Sequence, residues 1–285
     1  MVPYIVSEDV ALLLGVWAQD RGFRVPSTVF FKEWREEFAL FMQRIFPKFI
    51  SVSEQEMKEG LSELIVQTDL PVLSLDGVYV QADLTLELAR QIDGEKRDVG
   101  IGHRPGTPSL LHQVRKIRES GVREVVLADD VIFSVSLIER VDHLLDQLGI
   151  HVCVVCAGVG IGEGIGRLTS QGYDVRCVRR FEKVVDEICE RDFVPGVPQS
   201  GRAILGNDRV GVPYLYPFGD PVGWASIPPE QAEIFSAFCI AHTIVLFEEI
   251  ERLSGRMVRC CDLARLPIGV PQDKTRFVDA LRSLR

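Results

Sequence analysis

Two consecutive carboxylates, Asp129 and Asp130, follow the apolar run Val125-Val126-Leu127-Ala128 and precede Val131-Ile132-Phe133-Ser134-Val135-Ser136. A strand that carries an acid pair to its C-terminal edge and then turns through two hydroxyls into a helix offers what a sugar phosphate needs. Carboxylates accept ribose hydroxyl hydrogens and hold a divalent cation. The helix N-terminus presents unpaired N–H groups and a positive dipole to a phosphate. The plainer alternative is an acid pair that caps a turn.

This stretch resembles the PRPP-binding motif of the type I phosphoribosyltransferases, in which apolar residues lead into Val-Asp-Asp-Val and a Thr/Gly-rich turn. The resemblance covers Val125 to Leu137 directly and extends loosely over the α/β units of residues 96–200. It implies that Asp129 and Asp130 are the catalytic pair, engaging the ribose hydroxyls and holding Mg²⁺. It places Ser134, Val135 and Ser136 around the 5-phosphate. The implied reaction passes through an oxocarbenium-like centre as pyrophosphate leaves. The loop Gly102-His103-Arg104-Pro105-Gly106-Thr107 is the candidate pyrophosphate loop, with His103, Arg104 and Thr107 as ligand contacts. Asp192-Phe193-Val194-Pro195-Gly196 is similar to the Asp-Phe-Val-Val-Gly near the base-binding loop of purine phosphoribosyltransferases, which makes Asp192 and Phe193 candidate contacts.

Two departures point to an alternative. Val135 stands where the family turn usually carries Gly. Only one helix is expected between the His103 loop and the acid pair, which leaves no room there for the family's hood loop. Both features favour a non-catalytic ligand-sensing protein with the same fold.

A third reading comes from Cys153-Val154-Val155-Cys156-Ala157-Gly158-Val159-Gly160-Ile161-Gly162-Glu163-Gly164, followed downstream by Arg179-Arg180. It resembles a dinucleotide fingerprint with an Arg pair for a 2′-phosphate, as in an NADP-dependent oxidoreductase. The third glycine position falls on Glu163, so the spacing fails. Cys153 and Cys156 lie three apart on an expected strand, point to opposite faces and read as core. His242 sits on an apolar helix and reads as core too. Trp224, in a turn-rich loop, either covers the core or stacks on a base.

The elements needed to position these groups are those of an α/β protein. Residues 1–95 read as a helical region, with Ser-capped helices expected over Ser7–Gly22, Ser27–Phe46 and Ser53–Gln67. A short strand is expected at Val78–Val80. Residues 96–205 read as a parallel-sheet core resembling the phosphoribosyltransferase fold. Strands are expected at Asp98–Gly102, Glu124–Ala128, Ile150–Cys156 and Val175–Val178, with helices from Thr107, Ser134, Gly164 and Phe181. Residues 206–285 read as a C-terminal loop and long helix, Pro228 to Ser254, packed on the core.

The 285 residues carry 32 Lys and Arg against 41 Asp and Glu, a formal charge of −9 that disfavours nucleic acid as a partner. The basic stretch beyond Arg252 opposes that sign locally. The longest apolar run, Phe235 to Phe247, falls short of the ~20 residues a bilayer span needs, and no membrane partner is expected. The N-terminus lacks a basic n-region, and seven cysteines in a chain of this size fit a reducing cytoplasm. The expected partner is a small phosphorylated ligand, and a homo-oligomer is compatible with the sequence.

Overall fold

A strand buried on both faces needs an unbroken apolar run, and Val125-Val126-Leu127-Ala128 supplies one. In the computed structural model, which describes residues 1–133 and 135–284, these four are at most 1% exposed. Leu127 packs into one apolar cluster and Val126 into another across the sheet.

The chain begins β1 (Tyr4–Ser7), α1 (Val10–Arg21), α2 (Thr28–Ile45), β2 (Phe49–Val52) and α3 (Glu54–Val66). It continues through β3 (Val72–Ser74), β4 (Leu84–Thr85), β5 (Leu88–Ile92), β6 (Asp98–His103) and α4 (Leu110–Glu119). Next come β7 (Glu124–Ile132), α5 (Ser136–Gln147), β8 (His151–Ile161), α6 (Gly162–Ser170) and β9 (Asp174–Phe181). The last third holds β10 (Glu187–Cys189), β11 (Arg202–Ile204), β12 (Asn207–Val212), α7 (Pro221–Ala225), α8 (Ala232–Ser254), β13 (Leu266–Pro267) and α9 (Phe277–Arg282).

The central sheet is parallel, in the order β4-β3-β7-β8-β9. One face is covered by α4, α5 and α6 through Ile117, Ile138, Leu145 and Leu168; the other by α3 and β1 through Met57, Leu61 and Ile5. From β3 the chain steps outward to β4, then returns to β7 and proceeds the other way. The strand order therefore reverses between β3 and β7, the place where open α/β sheets hold ligands.

A second sheet, β10-β1-β2, is parallel and joins the N-terminal region to residues 187–189. The third, β13-β12-β11-β5-β6, is mixed. Around it, α2 and α8 share an aromatic core in which Trp34 stacks on His242 at 4.1 Å. Burial pulls the His242 imidazole down to about 3, so it is a neutral core residue, as expected.

Several expectations change. Ser27 and Ser53 cap α2 and α3, accepting from the N–H groups of Phe30 and Glu56, but Ser7 lies in β1. The strand expected at Val78–Val80 precedes the Asp76-Gly77 turn, as β3. Asp98–His103 forms a strand, but it pairs antiparallel with β5 outside the parallel sheet. The β5–β6 hairpin precedes the His103 loop, and α4 is the one helix between that loop and β7, as expected. Phe181–Cys189 is not helical: Val184, Val185 and Ile188 mimic a helical period, yet residues 187–189 pair with β1. The Pro/Gly-rich stretch after Arg191 contains the β11–β12 hairpin.

The glycine run is strand rather than turn, because β8 continues to Ile161. A Cβ at Gly158 would overlap Met57 and meet the Asp130 carbonyl at 2.9 Å, so this glycine serves close packing. The ground for an oxidoreductase reading goes with the missing turn. Cys153 is the extra residue of a register shift, Val125 pairing with Val152 and Val126 with Val154. The shift reverses side-chain parity, so Cys153 and Cys156 pack on the same apolar cluster rather than on opposite faces.

Candidate functional site

The edge of the sheet at the β3/β7 reversal opens into a cavity of about 620 Å³. The partner strand β3 stops at Ser74, opposite Ala128, whereas β7 runs on to Ile132. Asp129 and Asp130 therefore lie beyond the end of their neighbour, facing the gap where the two chains diverge. Both line the cavity, together with Asp76 from the loop after β3. Sequence reasoning ended the strand at Ala128; it is longer, and the acids are strand residues.

A buried charge network holds this floor. Arg191 donates to Asp9 Oδ2 at 2.6 Å, Asp76 Oδ1 at 3.1 Å and Asp130 Oδ2 at 3.4 Å. Arg104 donates to Asp76 Oδ1 at 2.9 Å and to Gln199 Oε1 at 2.8 Å. Burial alone would raise the Asp76 carboxyl, but Arg191 and Arg104 outweigh it and hold Asp76 below the ordinary carboxylate range. Among the described residues, no guanidinium is bound to Asp129. Burial first, then Asp130 and Asp76, push Asp129 well up. Burial and Asp76 raise Asp130 as well, against the pull of Arg191.

Beside Asp130 lie two groups from β10. Cys189 Sγ donates to Asp130 Oδ2 at 3.3 Å, and the Glu187 carboxyl accepts from Ser7 Oγ at 2.6 Å. Burial and then the Asp130 charge push Glu187 up to about 8. Neither group was legible from the sequence, because residues 181–189 read as helix. Asp9 and Arg191 escaped notice for a related reason: their pairing spans 182 residues. The Asp192 motif beside Arg191 was the available signal.

The expected site residues divide. Asp129, Asp130, Ser136, Arg104 and Asp192 all border the cavity. Ser134 lies outside the described residues. Val135 is 1% exposed in the apolar core with φ −74°, so this position does not require glycine. Its side chain packs in the core and stands outside the cavity lining. His103 turns to Asp208 at 3.3 Å and stands outside the cavity lining. Thr107 closes a local turn by donating to the Arg104 carbonyl; α4 begins at Leu110 after Ser109, so Thr107 is not its cap. Phe193, 2% exposed, packs edge-on against Phe235 at 5.0 Å in the core and stands outside the cavity lining.

Asp192 accepts from Gly201 N at 2.7 Å, and Trp224 borders the cavity beneath the Arg202 guanidinium at 4.4 Å. Among the described residues, no group of three or more His, Cys, Asp or Glu is arranged around a common metal position. The cysteines are free, and among the described residues no helix is long and apolar enough to cross a membrane.

No family model matches the sequence, and no curated protein matches it. Among solved structures the chain is similar to adenine phosphoribosyltransferase from Thermoanaerobacter pseudethanolicus, at 12% identity and a TM-score of 0.27. That match covers 44% of this chain and 80% of that one. Likeness at this level assigns neither fold nor activity. What stands is an α/β chain whose parallel sheet opens, at its order reversal, into a cavity floored by paired acids and guanidiniums.

Proposed function

We propose that this cavity binds a phosphoribosyl compound, PRPP or a nucleotide, with Asp129 and Asp130 on the ribose hydroxyls. The N-terminal turn of α5, at Ser136, takes the 5-phosphate. One observation carries the reading. At the β3/β7 reversal an acid pair leads within a few residues into a helix N-terminus, and both border one cavity together with Arg104 and Arg191. Carboxylates there suit hydroxyl donors, and the helix start suits an anion. A volume of about 620 Å³ suits a ligand of that size.

Mg²⁺ fits the acids. Each is raised by burial and by a carboxylate neighbour, a state that a divalent cation relieves. Mg²⁺ is commonly held by one or two carboxylates and completed by substrate phosphates, so a larger protein cage is not needed. Asp129 and Asp130 would hold it, and the ion would supply charge neutralisation to a leaving pyrophosphate. Transfer of the phosphoribosyl group to a base is the finer form of this reading. Arg191 binds Asp130 directly, and Arg191 and Arg104 together fix Asp76 beside the acid pair.

Calorimetric titration of PRPP with Mg²⁺ tests the reading. The expected result is binding by the wild type that is lost in Asp129→Asn/Asp130→Asn, since the ribose acceptors lose their charge. Unchanged affinity in the double variant would refute it. Pyrophosphate release over a panel of bases then separates an enzyme from a ligand sensor.

A further inference from the structure

Arg265, just ahead of β13, is left idle by the contacts above. Its residue is 4% exposed and borders the cavity. Neither Nε nor Nη2 has a hydrogen-bond partner, and among the described residues no carboxylate lies within ion-pair distance. The other buried arginines of the cavity are all engaged: Arg104 and Arg191 with Asp76, and Arg202 with Asp98 at 3.0 Å. Burial, assisted by nearby Arg104 and Arg191, pulls the Arg265 guanidinium down to about 10 despite the opposing Asp192 charge. A guanidinium withdrawn from water without a partner is costly, and an anion completes it.

The surroundings narrow that anion. Tyr214 and Trp224 line the cavity too, with ring centroids 5.5 Å apart and Arg202 over both rings, and Tyr214 is close enough to act on the Arg265 charge. Their π faces and the neighbouring guanidinium planes suit a flat ring. Gly211 permits the arrangement, because a Cβ there would overlap Arg265 Nε. Asp192 limits the negative charge this end accepts. A single carboxylate matches the guanidinium fork, whereas a pyrophosphate brings excess charge against Asp192.

We propose that this end of the cavity takes a second ligand, a planar aromatic ring bearing a carboxylate, with the carboxylate on Arg265 and the ring against Trp224 and Tyr214. The proposal rests on the phosphoribosyl reading only for the identity of the first ligand, at Asp129 and Asp130.

Paired probes of like ring and unlike charge test it: nicotinate against nicotinamide, and orotate against uracil, titrated calorimetrically with and without ribose 5-phosphate. The wild type is expected to bind each acid at least tenfold more tightly than its neutral counterpart. Arg265→Gln removes that preference and leaves ribose 5-phosphate affinity unchanged. Arg265→Lys, which keeps the charge and guards against loss of the fold, retains part of the preference. Acids that bind no more tightly than the neutral rings, absence of binding included, overturn the proposal. So does Arg265→Gln that loses pyrophosphate affinity while keeping the acid preference. An intact acid preference beside absent ribose 5-phosphate and PRPP binding would instead sink only the first-ligand reading.

Discussion

Glu187 gives a prediction with a sign and a size. It is 7% exposed, bonded to Ser7 and close to Asp130, and its carboxyl is raised from an ordinary 4.5 to about 8. Between those values the folded protein keeps a proton that the unfolded chain has lost. The stability contributed by this group is therefore complete below about 4.5 and is lost as pH rises through about 8. At 1.36 kcal/mol per pH unit, the full interval is worth about 5 kcal/mol. Glu187→Gln preserves an acceptor for Ser7 Oγ and cannot ionise. Urea unfolding of both proteins at intervals from about pH 5 to about pH 8, at fixed ionic strength, isolates the difference, because the other buried acids titrate in both. The variant is expected to gain on the wild type by ~1.2 kcal/mol per unit, about 3.5 kcal/mol in total, with some softening from coupling to Asp130. Parallel curves, or a wild type that gains on the variant with rising pH, would refute the assignment of a proton to Glu187. The same ionisation adds negative charge beside Asp130. Ribose 5-phosphate affinity should therefore fall over this range in the wild type and vary less in the variant.

Arg191→Met leaves Asp9 and Asp76 with fewer countercharges in a dry setting and should cost ~3–5 kcal/mol in a denaturant titration. A cost near zero would mean that the network is replaceable. Gly158→Ala should destabilise by ~1–3 kcal/mol through overlap with Met57, and Met57→Ala in the same chain should recover part of that loss. Simple additivity of the two changes would remove the packing explanation. Ser53→Ala should lower stability by ~1 kcal/mol through loss of the α3 cap. NADPH should leave the melting temperature unchanged, since Gly158 and Gly160 lie inside β8; a concentration-dependent rise would reopen the oxidoreductase reading.

What the sequence revealed followed from local pattern. The run Val125 to Asp130 announces a buried strand ending in acids, because apolar continuity and the carboxylate pair are adjacent in the chain. Ser27 and Ser53 announce their helices for the same reason. Pairing across the chain has no such signature. Residues 187–189 are a strand only because Tyr4–Ser7 lies alongside, and Glu187 faces the cavity only because of that pairing. Arg265 is an ordinary surface-type residue in sequence and an isolated buried cation in the fold. Val135 shows the converse error: a family pattern asks for glycine, yet the local backbone has a negative φ and the side chain is needed inside.

The β1–β10 pairing also governs when the site can exist. Ser7 meets Glu187, Asp9 meets Arg191, and the idle guanidinium waits at residue 265. Contacts so distant along the chain close slowly, after the loops between them have been gathered. A nascent chain paused within the central sheet would display the acid pair and Arg104 without Arg191, the guanidinium bound to Asp130. The closed floor of the cavity thus appears only once residues 187–191 have been made and have docked against β1.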